Sequence, residues 1–337
     1  MRRPDRDPRI DLSTDFKLNR SSTIFVAGAA GMVGSSIVRR LTADGYQNLL
    51  TPDSGTLDLI IQTDVREFFT HQKPDVVIVA AARVGGIGAN NSLRAQFIYE
   101  NLMIEANIID AAYRNGVSKL LSLGSSCIYP RMAPQPMKEE YLLSGPLEFT
   151  NEPYAVAKIA GIKLCESYYR QYGCNFFSVM PTNLFGPNDN FDLKSSHVIP
   201  ALIRRFHEAK ITNADSVVLW GSGKPRREFM YVDDLARAVC FLMENHNAAE
   251  FFENGISHIN IGTGEDLEIG ELAGLIAKLV GFNGKVEYDP SQPDGTPRKL
   301  LDISRIKSLG WAPSISLADG LQKTYEWFLG AAAARGV

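Results

Sequence analysis

The first organised stretch is a run of apolar residues, Ile24, Phe25, Val26 and Ala27, as expected of a strand buried on both faces. Val33, Ile37, Val38 and Leu41 follow at helical spacing. The same alternation continues. Strands are predicted at 46–50, 75–80, 119–123 and 175–180, and helices at 66–72, 92–115 and 153–172. Phe97, Leu102, Ile104, Ile108 and Ile109 are the expected packing residues of the helix at 92–115, and Pro153 stands near a helix start, where proline is tolerated. Strands alternating with helices predict an α/β fold, a Rossmann-type doubly wound parallel sheet. From about Gly186 the rhythm changes. The turn-forming Pro187-Asn188-Asp189-Asn190 precedes helices at 198–209, 233–244 and 269–280 and strands at 217–220 and 258–261.

These segments suggest a smaller C-terminal substrate-binding lobe. The expected division is a flexible extension at 1–21 and a dinucleotide-binding domain mainly at 22–185. A substrate lobe follows mainly at 186–330, with some late segments returning to the sheet, and a tail at 331–337.

Composition changes the picture little. The 337 residues are 45% hydrophobic and 22% charged with a net charge of -3, which suits a globular chain with a large core. There is no basic block to engage nucleic acid and no apolar run of the roughly 20 residues a membrane span needs. Residues 1–21 mix arginines with aspartates and lack the apolar centre of a secretory signal. The four cysteines, Cys127, Cys165, Cys174 and Cys240, form no C-x-x-C pair, so neither a metal site nor a disulfide framework is expected. A reducing, cytoplasmic setting fits them.

Chemistry enters at the first turn. Gly28-Ala29-Ala30-Gly31-Met32-Val33-Gly34 places glycines three apart between strand and helix. Gly28 can make the tight turn, Gly31 can admit a pyrophosphate close to the backbone, and Gly34 can bring the helix against the sheet. The helix N-terminus then offers N–H groups to phosphate. A second signal is Tyr154-Ala155-Val156-Ala157-Lys158, with Tyr and Lys one turn apart on one helix face. Beside Lys158, the Tyr154 pKa is expected to fall from about 10 toward neutrality, so that the phenol can exchange a proton with a carbonyl oxygen. Between the two signals lies Leu121-Ser122-Leu123-Gly124-Ser125-Ser126-Cys127-Ile128-Tyr129-Pro130, just past a strand end, where open α/β sheets bind ligands.

Over about residues 22–330 these motifs resemble the extended short-chain dehydrogenase/reductases. The resemblance is closest to the branch that epimerises GDP-4-keto-6-deoxy-D-mannose at C3 and C5 and reduces it at C4 to GDP-L-fucose. Further residues that carry it are Val84-Gly85-Gly86-Ile87, Asn151-Glu152-Pro153-Tyr154 and Met180-Pro181-Thr182-Asn183-Leu184. Ser196-His197-Val198-Ile199-Pro200, Trp220-Gly221, Arg227-Glu228-Phe229 and Pro293-Asp294-Gly295-Thr296-Pro297-Arg298-Lys299 complete it. The Cys127, His197 and 294–299 segments are the specific ones.

The resemblance implies roles. Cys127 and His197 would be the acid–base pair for epimerisation, with a nearby cation lowering the thiol pKa. Tyr154 would protonate the C4 oxygen, Ser125 would share it, and Lys158 would also hold the nicotinamide ribose. Gly28 to Gly34, Leu123, Gly124, Ser125, Ser126, Pro181, Thr182, Asn183, Leu184 and His197 would line the cofactor. Arg205, Trp220, Arg227, Asp294 and Lys299 would anchor the GDP-sugar. A homodimer built on the helices at 92–115 and 153–172 is implied as well.

NADP(H) is the implied cofactor, but the arginines of bacterial and plant relatives for its 2′-phosphate are missing. Ala29-Ala30 stands in the loop, and Thr51-Pro52-Asp53-Ser54-Gly55-Thr56 after the second strand holds no basic residue. Asp53 would repel a phosphate and suit a 2′-hydroxyl, which keeps NAD(H) open. Two rival readings are an NAD-dependent nucleotide-sugar 4-epimerase, which would not need Cys127 and His197 together, and a non-catalytic dinucleotide sensor.

Overall fold

The computed structural model describes residues 16–193, 195–292 and 294–335. Most of the charged stretch expected to be a flexible extension, the end of the tail, and Pro293 therefore lie outside the described residues. The strands of the first half are β1 (Ile24–Ala27), β2 (Leu49–Leu50), β3 (Val76–Val79), β4 (Lys119–Leu123) and β5 (Phe176–Pro181). Its helices are α1 (Met32–Ala43), α2 (Gln62–Gln72), α3 (Ile87–Ser92), α4 (Arg94–Arg114) and α5 (Glu152–Tyr172).

In the second half the strands are β6 (Asn183–Phe185), β7 (Ser216–Trp220), β8 (Arg226–Arg227), β9 (Phe229–Tyr231), β10 (Ile259–Ile261), β11 (Leu267–Glu268), β12 (Lys285–Asp289) and β13 (Arg298–Lys299). The helices are α6 (Val198–Ile211), α7 (Val232–Asn245), α8 (Ala248–Phe252), α9 (Ile269–Val280), α10 (Ser304–Ser308) and α11 (Leu317–Arg335).

The main sheet has the order β2-β1-β3-β4-β5-β10, and all its pairings are parallel. Every residue of β1, β3, β4 and β5 is buried, which follows from helices covering both faces. Helix α4 packs along α5, and α1 along α7. Because the strands run one way, the loops after β1, β3, β4 and β5 gather at one edge. A second core cluster starts at Phe185 and joins Ile199, Ile203, Phe206, Leu272, Ile276 and Leu321. Around it lie the small sheets β11-β8-β13, β7-β12 and β6-β9.

Several elements differ from expectation. The second strand keeps only Leu49 and Leu50, and the helix expected from 66 starts at Gln62. The helix expected at 92–115 is α4, and the short α3 before it is set off by Leu93, whose angles, φ −113° and ψ 37°, are non-helical. β10 falls within the strand expected at 258–261, whereas α11 and the short strands β6, β8, β9, β11 and β13 were not expected.

Candidate active site

The glycine loop is dictated by sterics. Gly28 has φ +82°, and a Cβ there would stand 2.7 Å from the Ala81 backbone. A Cβ on Gly34 would come within 2.1 Å of the Gly28 carbonyl oxygen, so only glycine lets α1 sit this close to β1. Gly31 is different. It caps α1 without a side-chain hydrogen bond, and a Cβ there would meet only the Gly28 oxygen, at 3.5 Å. The open space and bare helix end form a cradle that fits a pyrophosphate. Asn188 Nδ2 donates to Ser35 Oγ at 3.0 Å, which ties the 186–190 turn to the start of α1.

The end of β4 builds the next part. Gly124 donates its N–H to Val179 O at 2.8 Å, and a Cβ there would collide with Met180. Ser125 is extended and caps a single 3₁₀ turn, Ser126–Ile128, its Oγ accepting the Cys127 N–H at 3.5 Å. The turn buries Ser126 and Cys127. Tyr154, half-buried on α5, has the Ser125 hydroxyl nearby, acting on its phenol, and the Phe97 ring edge-on at 6.4 Å.

Lys158 departs from the sequence reading. Its Nζ donates to Glu105 Oε1 at 2.7 Å and to Leu123 O at 2.8 Å, and both side chains are almost fully buried. The Tyr154 pKa is raised rather than lowered toward neutrality. Desolvation is the main cause, with Cys127 and Glu105 adding to it and Ser125 opposing. Cys127 also departs from expectation. Burial pushes its thiol up, against the pull of Ser125, Lys299 and Lys158.

Strand register sets the place of Lys299, whose charge acts on the Cys127 thiol. β13 pairs with β8 in parallel, so Lys299 lies beside Arg227. Burial depresses the pKa of both; for Lys299 the neighbouring Arg227 acts the same way, while Cys127 and Glu148 oppose. The other expected anchors continue this band. A Cβ on Gly295 would lie 3.6 Å from Arg227 Nη2, next to Asp294. Asp294 accepts from the Ser222 N–H at 2.6 Å and Oγ at 2.8 Å. Trp220 ends β7 with 67% of its surface exposed, and Arg205 on α6 donates to Val218 O on that strand at 3.5 Å.

His197 stands at the N-terminus of α6 without making a capping bond. Its segment is tied to the β3 edge, since Gly86 donates its N–H to Ser195 O at 3.0 Å and Asn90 Nδ2 donates to Gly85 O at 2.6 Å. His197 is exposed, yet surrounding protein depresses its pKa below the usual imidazole value by desolvation. The 181–184 segment is fixed by Thr182 N–H donating to Ile261 O at 2.9 Å and Asn183 Nδ2 donating to Glu228 O at 2.8 Å. Asp53 does not reach outward with Oδ1, which accepts from the N–H groups of Gly55 and Thr56 and the Thr56 hydroxyl.

Two buried carboxylates received no role in the sequence reading. Glu105 pairs with Lys158, and the only trace of it is a charge inside the apolar row of α4. Glu228 is fully buried and accepts the N–H groups of Thr263, Gly264 and Leu301, which holds β8 against the loops beside it.

Residues 24–262 match the NAD dependent epimerase/dehydratase family. The chain belongs to that family. Among its relatives is the GDP-L-fucose synthase of Escherichia coli K12, 58% identical over 91% of this chain and 96% of that protein. A solved GDP-6-OMe-4-keto-L-xylo-heptose reductase from C. jejuni is 39% identical with a TM-score of 0.90, covering 94% of this chain and 100% of that one. A GDP-L-fucose synthetase from Naegleria fowleri, solved with NADP bound, is 28% identical with a TM-score of 0.84, covering 94% of this chain and 97% of that one. The glycine cradle, the strand-end serines and Tyr154 of this epimerase/dehydratase chain all lie within the matched span. Lys299 and Asp294 lie beyond it. Among the described residues no helix is long and apolar enough to cross a membrane.

Proposed function

We propose that this epimerase/dehydratase chain converts GDP-4-keto-6-deoxy-D-mannose to GDP-L-fucose, by epimerisation at C3 and C5 followed by reduction at C4. The observation that carries the reading is the meeting of Ser125, Tyr154, Cys127 and Lys299 at the end of β4, the sheet edge that also carries the glycine cradle. The high identity to GDP-L-fucose synthases supports the substrate.

The residues divide the work. The loop from Gly28 to Gly34 and the N-terminus of α1 hold the pyrophosphate of NADP(H). Leu123 to Ser126, the 181–184 segment, Lys158 and His197 line its nicotinamide end. When bound, the cofactor supplies a hydride for C4. Tyr154 gives its proton to the C4 oxygen, and Ser125 hydrogen-bonds the same atom.

The C4 ketone acidifies the C–H bonds at C3 and C5. One member of the Cys127–His197 pair removes a proton and the other returns one from the opposite face. In the free protein the raised thiol pKa and the depressed imidazole pKa leave one group protonated and the other neutral, a donor and an acceptor. Lys299 beside Cys127 counters negative charge that develops there. Arg205, Arg227, Trp220, Asp294 and Lys299 hold the GDP-sugar, with guanidinium groups suited to its two phosphates.

NADPH is the expected reductant. NADH is used as well, a reading supported by the lack of a basic residue between Thr51 and Thr56 and at Ala29 and Ala30. The protein works as a cytoplasmic homodimer through α4 and α5, with a dinucleotide-binding domain mainly at 22–185 and a substrate lobe mainly at 186–330. Incubation of the purified chain with the keto sugar and NADPH or NADH, followed by NMR of the product, tests the reading. GDP-L-fucose supports it; a C4 epimer made without added reductant supports a 4-epimerase instead.

A further inference from the structure

Glu228 stands between β8 and β9 with none of its surface exposed, and it is held by main chain. A buried carboxylate is costly unless it is fully partnered. Oε1 accepts the N–H groups of Thr263 at 2.6 Å and Gly264 at 2.7 Å, and Oε2 accepts the N–H of Leu301 at 2.9 Å. Gly262 leaves the room, since a Cβ there would strike Oε1. The place of Oε2 follows from the strand ladder. Arg226 N–H donates to Pro297 O and Glu228 N–H to Lys299 O, as the parallel pairing of β8 and β13 requires. The next rung would give the Leu301 N–H to the Glu228 carbonyl. That carbonyl already accepts from Asn183 Nδ2 at 2.8 Å and the Thr182 hydroxyl at 3.3 Å. The carboxylate of the same residue takes its place on the rung.

We propose that Glu228 is a positioning residue for the substrate anchors: its carboxylate supplies the missing rung, holds the strand at Leu301 and so sets Lys299, while its carbonyl serves the cofactor-lining 181–184 segment. This rests on the reading of Arg227 and Lys299 as anchors of the GDP-sugar. The charged groups acting on Lys299 are Arg227 on β8, Glu148 before α5 and the Cys127 thiol. Those acting with Cys127 are Lys299 and Lys158, together with Ser125 and Tyr154. Replacing the carboxylate by an amide has a directional effect. Oε1 faces two N–H groups and the Thr263 hydroxyl, so the amide oxygen settles there. The amide nitrogen then confronts the Leu301 N–H, donor against donor, two residues from Lys299.

The first readout needs no substrate. Alkylation of Cys127 by iodoacetamide is followed against pH in the full chain, with mass spectrometry reading its peptide apart from those of Cys165, Cys174 and Cys240. Lys299→Met sets the scale, since losing that cation should raise the apparent thiol pKa by about one unit. Glu228→Gln is expected to move it in the same direction by about half as much, and Glu228→Asp, which keeps the charge on a shorter stem, by less. The second readout separates the two sides of Glu228. Calorimetry should find GDP bound about tenfold more weakly by Glu228→Gln and NADPH bound within about twofold of wild type. The Asn183 bond is to a carbonyl that the variant keeps. Should Glu228→Gln fail to fold by circular dichroism, Gly262→Ala, which pushes on Oε1, decides by the same two readouts. A thiol profile unchanged from wild type, or GDP and NADPH affinities that fall together, overturns the proposal. A shifted thiol profile with no GDP binding by wild type supports the placement of Lys299 by Glu228 and overturns the GDP-sugar reading.

Discussion

Lys158 follows Tyr154 by one helical turn, yet its ammonium is held by Glu105 at 2.7 Å and the Leu123 carbonyl at 2.8 Å. Burial, with Cys127 and Glu105 adding to it, raises the Tyr154 pKa and keeps a phenol there, which suits the proposed reductase. Tyr154→Phe keeps the ring against Phe97 and removes the proton. C4 reduction is expected to fall by roughly 10²-fold or more, the scale of general acid catalysis, with NADPH binding and proton exchange at C3 and C5 retained. Near wild-type reduction by that variant would contradict the role.

In the proposed reaction, epimerisation falls to Cys127 and His197. Cys127→Ser keeps the shape of the turn but raises the side-chain pKa far beyond the working range, and His197→Asn removes the imidazole. In D₂O without NADPH, the keto sugar should take up deuterium with wild type and much more slowly with either variant, while fluorescence titration finds unchanged NADPH affinity in Cys127→Ser. Wild-type exchange rates in both would make the pair structural.

How much of this was legible depends on distance along the chain. The glycine cradle was readable by its spacing, and one of its constraints is local: a Cβ on Gly34 would strike the Gly28 carbonyl, whereas a Cβ on Gly28 would meet Ala81 beyond β3. Tyr154 and Lys158 were readable by their spacing, but the protonation of Tyr154 was not. The partner that captures Lys158 lies 53 residues away on another helix, and nothing in either stretch announces the meeting. Arg227 and Lys299 come together through two-residue strands, β8 and β13, too short to leave a period. The main sheet's buried runs were plain in the pattern, whereas the small sheets of the second lobe depend on pairings that the pattern does not encode.

Cofactor choice follows from the loop after β2. Asp53 Oδ1 is occupied by Gly55 and Thr56, and the loop holds no cation for a 2′-phosphate. The kcat/KM values for NADPH and NADH are expected to lie within about tenfold of each other, ~1.4 kcal/mol. Ala30→Arg, at an exposed position of the glycine loop, should raise the NADPH/NADH ratio by about tenfold or more. An unchanged ratio in that variant would place the 2′-position elsewhere.

Acid stability has a separate origin. His258 is buried, with Nε2 2.8 Å from the Tyr129 hydroxyl and Nδ1 2.8 Å from Ser257 Oγ. Because Tyr129 donates its proton to Asn260 Oδ1, the network assigns the ring hydrogen to Nε2 and leaves Nδ1 as acceptor. Burial lowers the pKa to about 3 from an ordinary 6.5. The unfolded chain therefore binds the extra proton first, so this contribution is complete above pH 6.5 and is lost as pH falls toward 3, a few kcal/mol in all. Urea melts between pH 7 and pH 4 should show a smaller loss of stability in His258→Gln than in wild type; equal slopes would contradict the assignment.

The most direct test of the epimerase–reductase account follows the atoms through the complete reaction. GDP-4-keto-6-deoxy-D-mannose is incubated with the wild-type chain and NADPH in D₂O, and the product is read by NMR. The account predicts GDP-L-fucose carrying deuterium at C3 and C5 and protium at C4. A reduced product with protium at C3 and C5, or no consumption of the keto sugar, would contradict it.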